Sequence, residues 1–138
     1  MGDIRAFLQP PVTEERHEVI ISKRFKGADG KPAPFVLRAI DPEINNKITK
    51  QCTKQVIKNG VSYPEVDSEM LSKKLILACV VEPDFRDAKL CEYYKTVDPL
   101  DVPGRMLTIG EYNRLFKEIR NICGMAEDTE AEVEEAKN

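Results

Sequence analysis

LILACVVEPDFRDAKLC, residues 75–91, holds two of the chain's four cysteines, with acids and a Pro-Asp break between them. It could be a metal or redox site. It could equally be a buried helix, stopped by its proline, with a turn beyond it that presents a surface. The apolar pattern decides for the second. From Leu75 to Val81 nearly every residue is apolar, and Asp67 stands upstream as an N-cap. That predicts a helix over 67–81, apolar on most sides and therefore central to the core. Pro83 ends it, because the residue before a proline is driven out of the α region. A short helix over 86–95 follows, with Asp84 or Asp87 as its cap.

The cysteines then need no special chemistry. Cys52, Cys79, Cys91 and Cys123 are 27, 12 and 32 residues apart, and the single histidine, His17, is remote from them. Zinc sites draw their ligands in close pairs. Scattered cysteines in a chain of this kind serve as small buried hydrophobes. Apolar burial also raises a thiol's pKa, which makes Cys79 a poor redox group.

Working outward, DPEINNKITKQCTKQVIKNG opens with Asp41 as N-cap and Pro42 at the first helical position, and closes on Asn59-Gly60. These signals predict a helix over 42–58. Ile44, Ile48, Cys52 and Val56 would form a narrow apolar stripe, a possible self-contact, with Lys47, Lys50, Lys54 and Lys58 facing outward. VSYPEVDSEM reads as a connection. In TIGEYNRLFKEIRNICG, Thr108 and Glu111 form a capping box and Gly124 a stop, which predicts a helix over 109–123. Upstream, EVIISKRF and PFVLRAI are rich in β-branched and aromatic residues around Asp29-Gly30, a hairpin over 18–40. Two strands alone are marginal in water, so this hairpin must pack on helices.

The expected fold is therefore α+β and mainly helical: an N-terminal β-hairpin on a bundle of about four helices. Residues 1–17 read as a leader or arm broken by Pro10-Pro11, and 18–125 as one globular domain. Residues 126–138, AEDTEAEVEEAKN, hold six acids against one lysine. Of the chain's net −3 this segment carries −5, which leaves +2 on residues 1–125. It reads as a disordered acidic tail.

Composition excludes several functions. No apolar run reaches the ~20 residues that span a bilayer. The N-terminal residues fit neither a secretory signal nor a myristoylation site, so the expected location is cytoplasmic. No basic stripe suits nucleic acid. No nucleophile elbow, phosphate loop or calcium loop occurs, so neither catalytic residues, nor a cofactor, nor a metal is expected.

Several blocks carry a resemblance: ISKRFKGADGKPAPFVLRAI with DPEINNKITKQCTK, then LILACVVEPDF with DAKL, then MLTIGEYNRL. In this order and spacing the chain resembles, over about residues 7–124, the XkdN-like tail assembly chaperone family of PBSX-type prophages. The resemblance implies a non-enzymatic protein of the bacterial host cytoplasm, absent from the mature virion. It would hold the tape measure protein soluble and help the tail tube protein assemble around it. A frameshifted longer form would also belong to that picture. A client with unpartnered amphipathic helices calls for an apolar groove, and the acidic tail would keep a loaded complex soluble. Irregular connections tend to carry recognition. The expected interaction surface is therefore Pro83, Asp84, Phe85 and Arg86, together with the segment Val97–Arg105 and in it Pro99, Leu100, Val102 and Arg105. The alternatives are a structural tail protein retained in the virion and a small regulatory ligand-binding module.

Overall fold

Phe35, Leu37 and Ala39 alternate along an extended segment, and all three are buried. A computed structural model, which describes residues 2–125, places the first two on strand β2 (Phe35–Leu37), antiparallel to β1 (His17–Val19). This is the expected hairpin, with a long connection. Within it Gly30 takes a left-handed φ of 79° and the Lys31 N–H donates to Asp29 Oδ1 at 3.0 Å, closing the Asp-Gly turn. Phe25 returns to lie 5.8 Å from the Phe35 ring. β1 starts at His17, one residue inside the expected leader, and Ile4–Phe7 and Val12–Glu14 upstream are short 3-10 turns.

Helix α1 (Pro42–Gln51) starts as expected, with the Asp41 carboxylate accepting the Ile44 N–H at 2.9 Å. It stops seven residues early. Residues 53–58 are not helix but strand β3 (Thr53–Lys58), paired with β4 (Val61–Val66), where a connection was expected. At the break, the Cys52 N–H is shared between the Ile48 and Thr49 carbonyls, and the Thr53 hydroxyl donates to Thr49 O at 2.7 Å. Asn59 and Gly60 both have positive φ, 53° and 76°, which makes a two-residue type I′ hairpin turn in place of a helix stop. The stripe divides accordingly. Ile44, Ile48 and Cys52 pack into the core, leaving no apolar stripe on α1 for self-contact, while Val56 goes to the arm. Lys54 and Lys58 lie on β3 as well.

Helix α2 (Ser68–Cys79) is the central helix, with Leu75, Ile76, Leu77 and Cys79 all buried. Asp67 caps it through the Met70 N–H. The residues expected to finish it form strand β5 (Val80–Glu82), antiparallel to β2, so the sheet order is β1-β2-β5. Two β-branched valines ahead of a proline favour that extended path. Arg38 secures the change. Its backbone N–H donates to Cys79 O at 2.8 Å, and its Nε to Ala78 O at 2.9 Å, satisfying carbonyls at the helix end.

Helix α3 (Ala88–Tyr93) is shorter than the 86–95 expected and is capped by Asp87. The segment 98–107, read as irregular, holds a 3-10 turn (Pro99–Asp101) and helix α4 (Val102–Met106), which buries Val102, Pro103 and Met106. Helix α5 (Ile109–Ile122) carries the expected capping box and lays Leu115 and Ile119 against the core. Burying each stabilises by about 1.5–3 kcal/mol. The acidic segment 126–138 lies outside the described residues.

Candidate functional site

Lys95 ends α3 in a left-handed conformation, φ 57°. The chain then runs out through Val97, which is fully exposed, before Pro99 turns it into α4. Arg105 on α4 reaches back across that excursion. Its Nη1 donates to Lys95 O at 2.7 Å and to Tyr94 O at 3.3 Å, so a cation satisfies the carbonyls at the α3 C-terminus. The α3 face, the 95–99 bend and Arg105 together enclose a concavity of about 790 Å³. Cys91, Ala88, Val97 and Pro99 give it apolar walls, and Arg86, Lys95 and Arg105 give it cations, with Glu92 the acid among its lining residues.

Arg86 and Pro99 are shared with a second hollow of about 330 Å³, whose apolar lining comes from Ile48, Leu77 and Leu100. The two hollows adjoin at Arg86 and Pro99. The Arg86 guanidinium makes no hydrogen bond or ion pair within the described residues. Cys91 is held from beneath, its thiol donating to Phe85 O at 3.3 Å.

The structure divides the surface expected from sequence. Arg86, Pro99 and Arg105 come together in the large concavity, and Leu100 lines the second. Pro83 and Asp84 border another hollow of about 310 Å³, beside Tyr93. Phe85 and Val102 are 2% and 0% exposed. Both are core residues and cannot meet a partner, because the turn sends Phe85 inward and α4 sends Val102 inward beside Pro103 and Met106. Val97 lies within the expected segment 97–105, while Glu92 and Lys95 were missed, because a charged residue at the end of a short helix carries no local sign that it lines a groove.

The thiols form a separate feature. Cys79 and Cys123 lie in hydrogen-bonding contact between α2 and the end of α5, with Cys79 buried and Cys123 partly exposed. Donation from Cys79 and from the Ile40 backbone holds the Cys123 thiol down, to about 6. The same contact and burial push Cys79 far up. Within the described residues no three His, Cys, Asp or Glu side chains group as metal ligands, and no described helix is long and apolar enough to cross a membrane.

Residues 4–137 match the family described as "Phage XkdN-like tail assembly chaperone protein". The chain belongs to that family. The match takes in the acidic segment and most of the leader, further than the blocks 7–124 that carried the resemblance. Two Bacillus subtilis (strain 168) proteins are similar over 96% of this chain. The phage-like element PBSX protein XkdN is 35% identical and covered over 93% of its length; the protein YqbN is 34% identical and covered over 92%. A crystal structure of YqbN shares 30% identity with a TM-score of 0.74, covering 91% of this chain and 98% of that one. Family membership makes tail assembly chaperoning the general role, and the α+β fold is shared with a solved relative.

Proposed function

We propose that this chaperone keeps the tape measure protein of its phage tail soluble and hands it to the assembling tail tube. The work is done in the bacterial host cytoplasm, and the chaperone is absent from the finished virion. One observation carries the reading: an open groove with apolar walls and three cations at its rim, made by Arg86, Lys95, Val97, Pro99 and Arg105. Such a groove suits an amphipathic client helix whose polar flank is acidic, with apolar side chains docked at helical spacing. Carboxylates on that flank would meet Arg86, whose guanidinium has no partner among the described residues, and charge-assisted bonds would fix the register. The acidic segment 126–138 adds like-charge repulsion between loaded complexes.

Co-expression with the tape measure protein of the same prophage, followed by pull-down and a solubility assay, tests this. The native chain should raise the soluble client several-fold. The variant Arg86→Glu with Val97→Asp should lose most of that gain while remaining folded. Undiminished capture by the double variant would remove the groove from the account. Mass spectrometry of purified particles separates the chaperone from a structural tail protein, which would be recovered in stoichiometric amount.

A further inference from the structure

The β3–β4 arm stands apart from both the groove and the core. Val56, Ile57, Val61, Tyr63 and Val66 all lie outside the buried cluster. Ile57 is 74% exposed and Val61 60%. A two-stranded ribbon with both faces in water is marginal alone and gains most from another strand. The arm's two edges are unequal, and the register shows why. One rung beyond the strands, the Asp67 N–H donates to Cys52 O at 2.8 Å. Antiparallel rungs alternate, so Lys54, Val56 and Lys58 turn their backbone groups toward β4. Thr53, Gln55 and Ile57 turn theirs outward. On β4 the outward residues are Ser62, Pro64 and Val66, and Pro64 has no N–H to offer. A proline on an edge blocks strand addition there. The outer edge of β3 carries no such block.

We propose that this open edge pairs with β3 of a second copy of the chain, antiparallel about a two-fold axis at Gln55. The product is a symmetric dimer with a four-stranded sheet ordered β4-β3-β3-β4. Charge selects the register. Centred on Gln55, the pairing sets Gln55 opposite itself, Thr53 opposite Ile57, and Lys54 opposite Val56. Moving the axis one residue toward the helix sets Lys54 against its own copy. Moving it one residue the other way sets Lys54 against Lys58, and directly opposed like charges are destabilising. Each arm has one usable edge, so a single pairing consumes it and assembly through the arms closes at two.

The test is the mass of the full chain by light scattering from micromolar to sub-millimolar concentration, with backbone amide exchange on the same samples. The native chain should become dimeric, and the Gln55 and Ile57 amides should then exchange about tenfold or more slowly than in dilute, monomeric samples. Gln55→Pro removes an outward N–H without touching a rung of the hairpin and should give a monomer. Gln55→Lys keeps the N–H, places lysines against each other, and should weaken the dimer about tenfold. Pro64→Thr opens the second edge and should give species larger than a dimer. A native chain that stays monomeric throughout overturns the proposal, as does a dimer whose Gln55 and Ile57 amides remain unprotected. Dimers of native strength in both Gln55 variants would overturn it too.

Discussion

The Arg24 guanidinium holds the Glu111 carboxylate through two hydrogen bonds, 2.8 Å from Nε and 2.7 Å from Nη2, across 87 residues of sequence. The same Nη2 donates to Met106 O at 2.6 Å. Glu111 also completes the α5 capping box by accepting the Thr108 N–H at 2.9 Å. One carboxylate therefore both starts the last helix and anchors the long connection of the N-terminal hairpin. Bidentate geometry of this kind is worth more than an ordinary surface ion pair.

Those bonds, the arginine's foremost, hold the Glu111 carboxyl well below its ordinary value of 4.5. A depressed folded-state pKa contributes stability above the unfolded value, and the contribution is lost as the pH falls below about 4.5. Native protein should therefore lose stability more steeply between pH 4.5 and lower values than Glu111→Gln does. At neutral pH the substitution should cost about 1–3 kcal/mol. Chemical denaturation across this pH range measures both.

Val97 and Val102 sit five positions apart, and their exposures are 100% and 0%. Val102→Ala should destabilise by on the order of 2 kcal/mol, since it leaves a cavity in the core. Val97→Ala should stay within about 0.5 kcal/mol and show itself in client capture alone. Urea midpoints for the two variants give the comparison.

Cys123 should be the most reactive thiol in the folded chain. It is the partly exposed one of four, and its contact with Cys79 favours the thiolate. One thiol should titrate quickly with a disulfide reagent at neutral pH, and four after denaturation. Cys123→Ser should abolish the fast phase, and its survival would relocate the reactive group.

Gly60 holds a φ of 76° at the tip of the arm, with open space where a Cβ would stand. Gly60→Ala therefore meets backbone strain without a clash, at a cost of about 1 kcal/mol. That cost should fall on the arm alone. Amides of Val56 and Lys58 should exchange faster, while the global unfolding midpoint stays nearly unchanged, because the arm's apolar side chains lie outside the core.

Much of this was legible in the residues. Capping signals placed the starts of α1, α2 and α5 and offered Asp87 as one of two caps for α3, and the apolar run from Leu75 identified the central helix. Failures came where one signal serves two structures. Asn59-Gly60 ends a helix or turns a hairpin equally well, and a spacing of four fits both the helical period and every second residue of a strand. What decides is the partner, and VSYPEV supplied one, although Pro64 masked it as a strand. Val80–Glu82 misled for a related reason. Its extended form depends on β2, more than 40 residues earlier in the chain. The groove was half legible. Its proline, Pro99, and its arginines, Arg86 and Arg105, could be chosen from the irregular segments, whereas the inward turn of Phe85 and Val102 depends on packing that no local pattern encodes.

The Asp67 N–H and Cys52 O lie 2.8 Å apart at the root of the arm, so the chain leaves and rejoins the body at one point. Residues 53–66 are in effect a cassette. Excising them and joining Cys52 to Asp67 through a tight glycine turn need not displace α1 or α2. The resulting miniature should keep its core and its groove, so that client capture and self-pairing can be assayed on separate molecules.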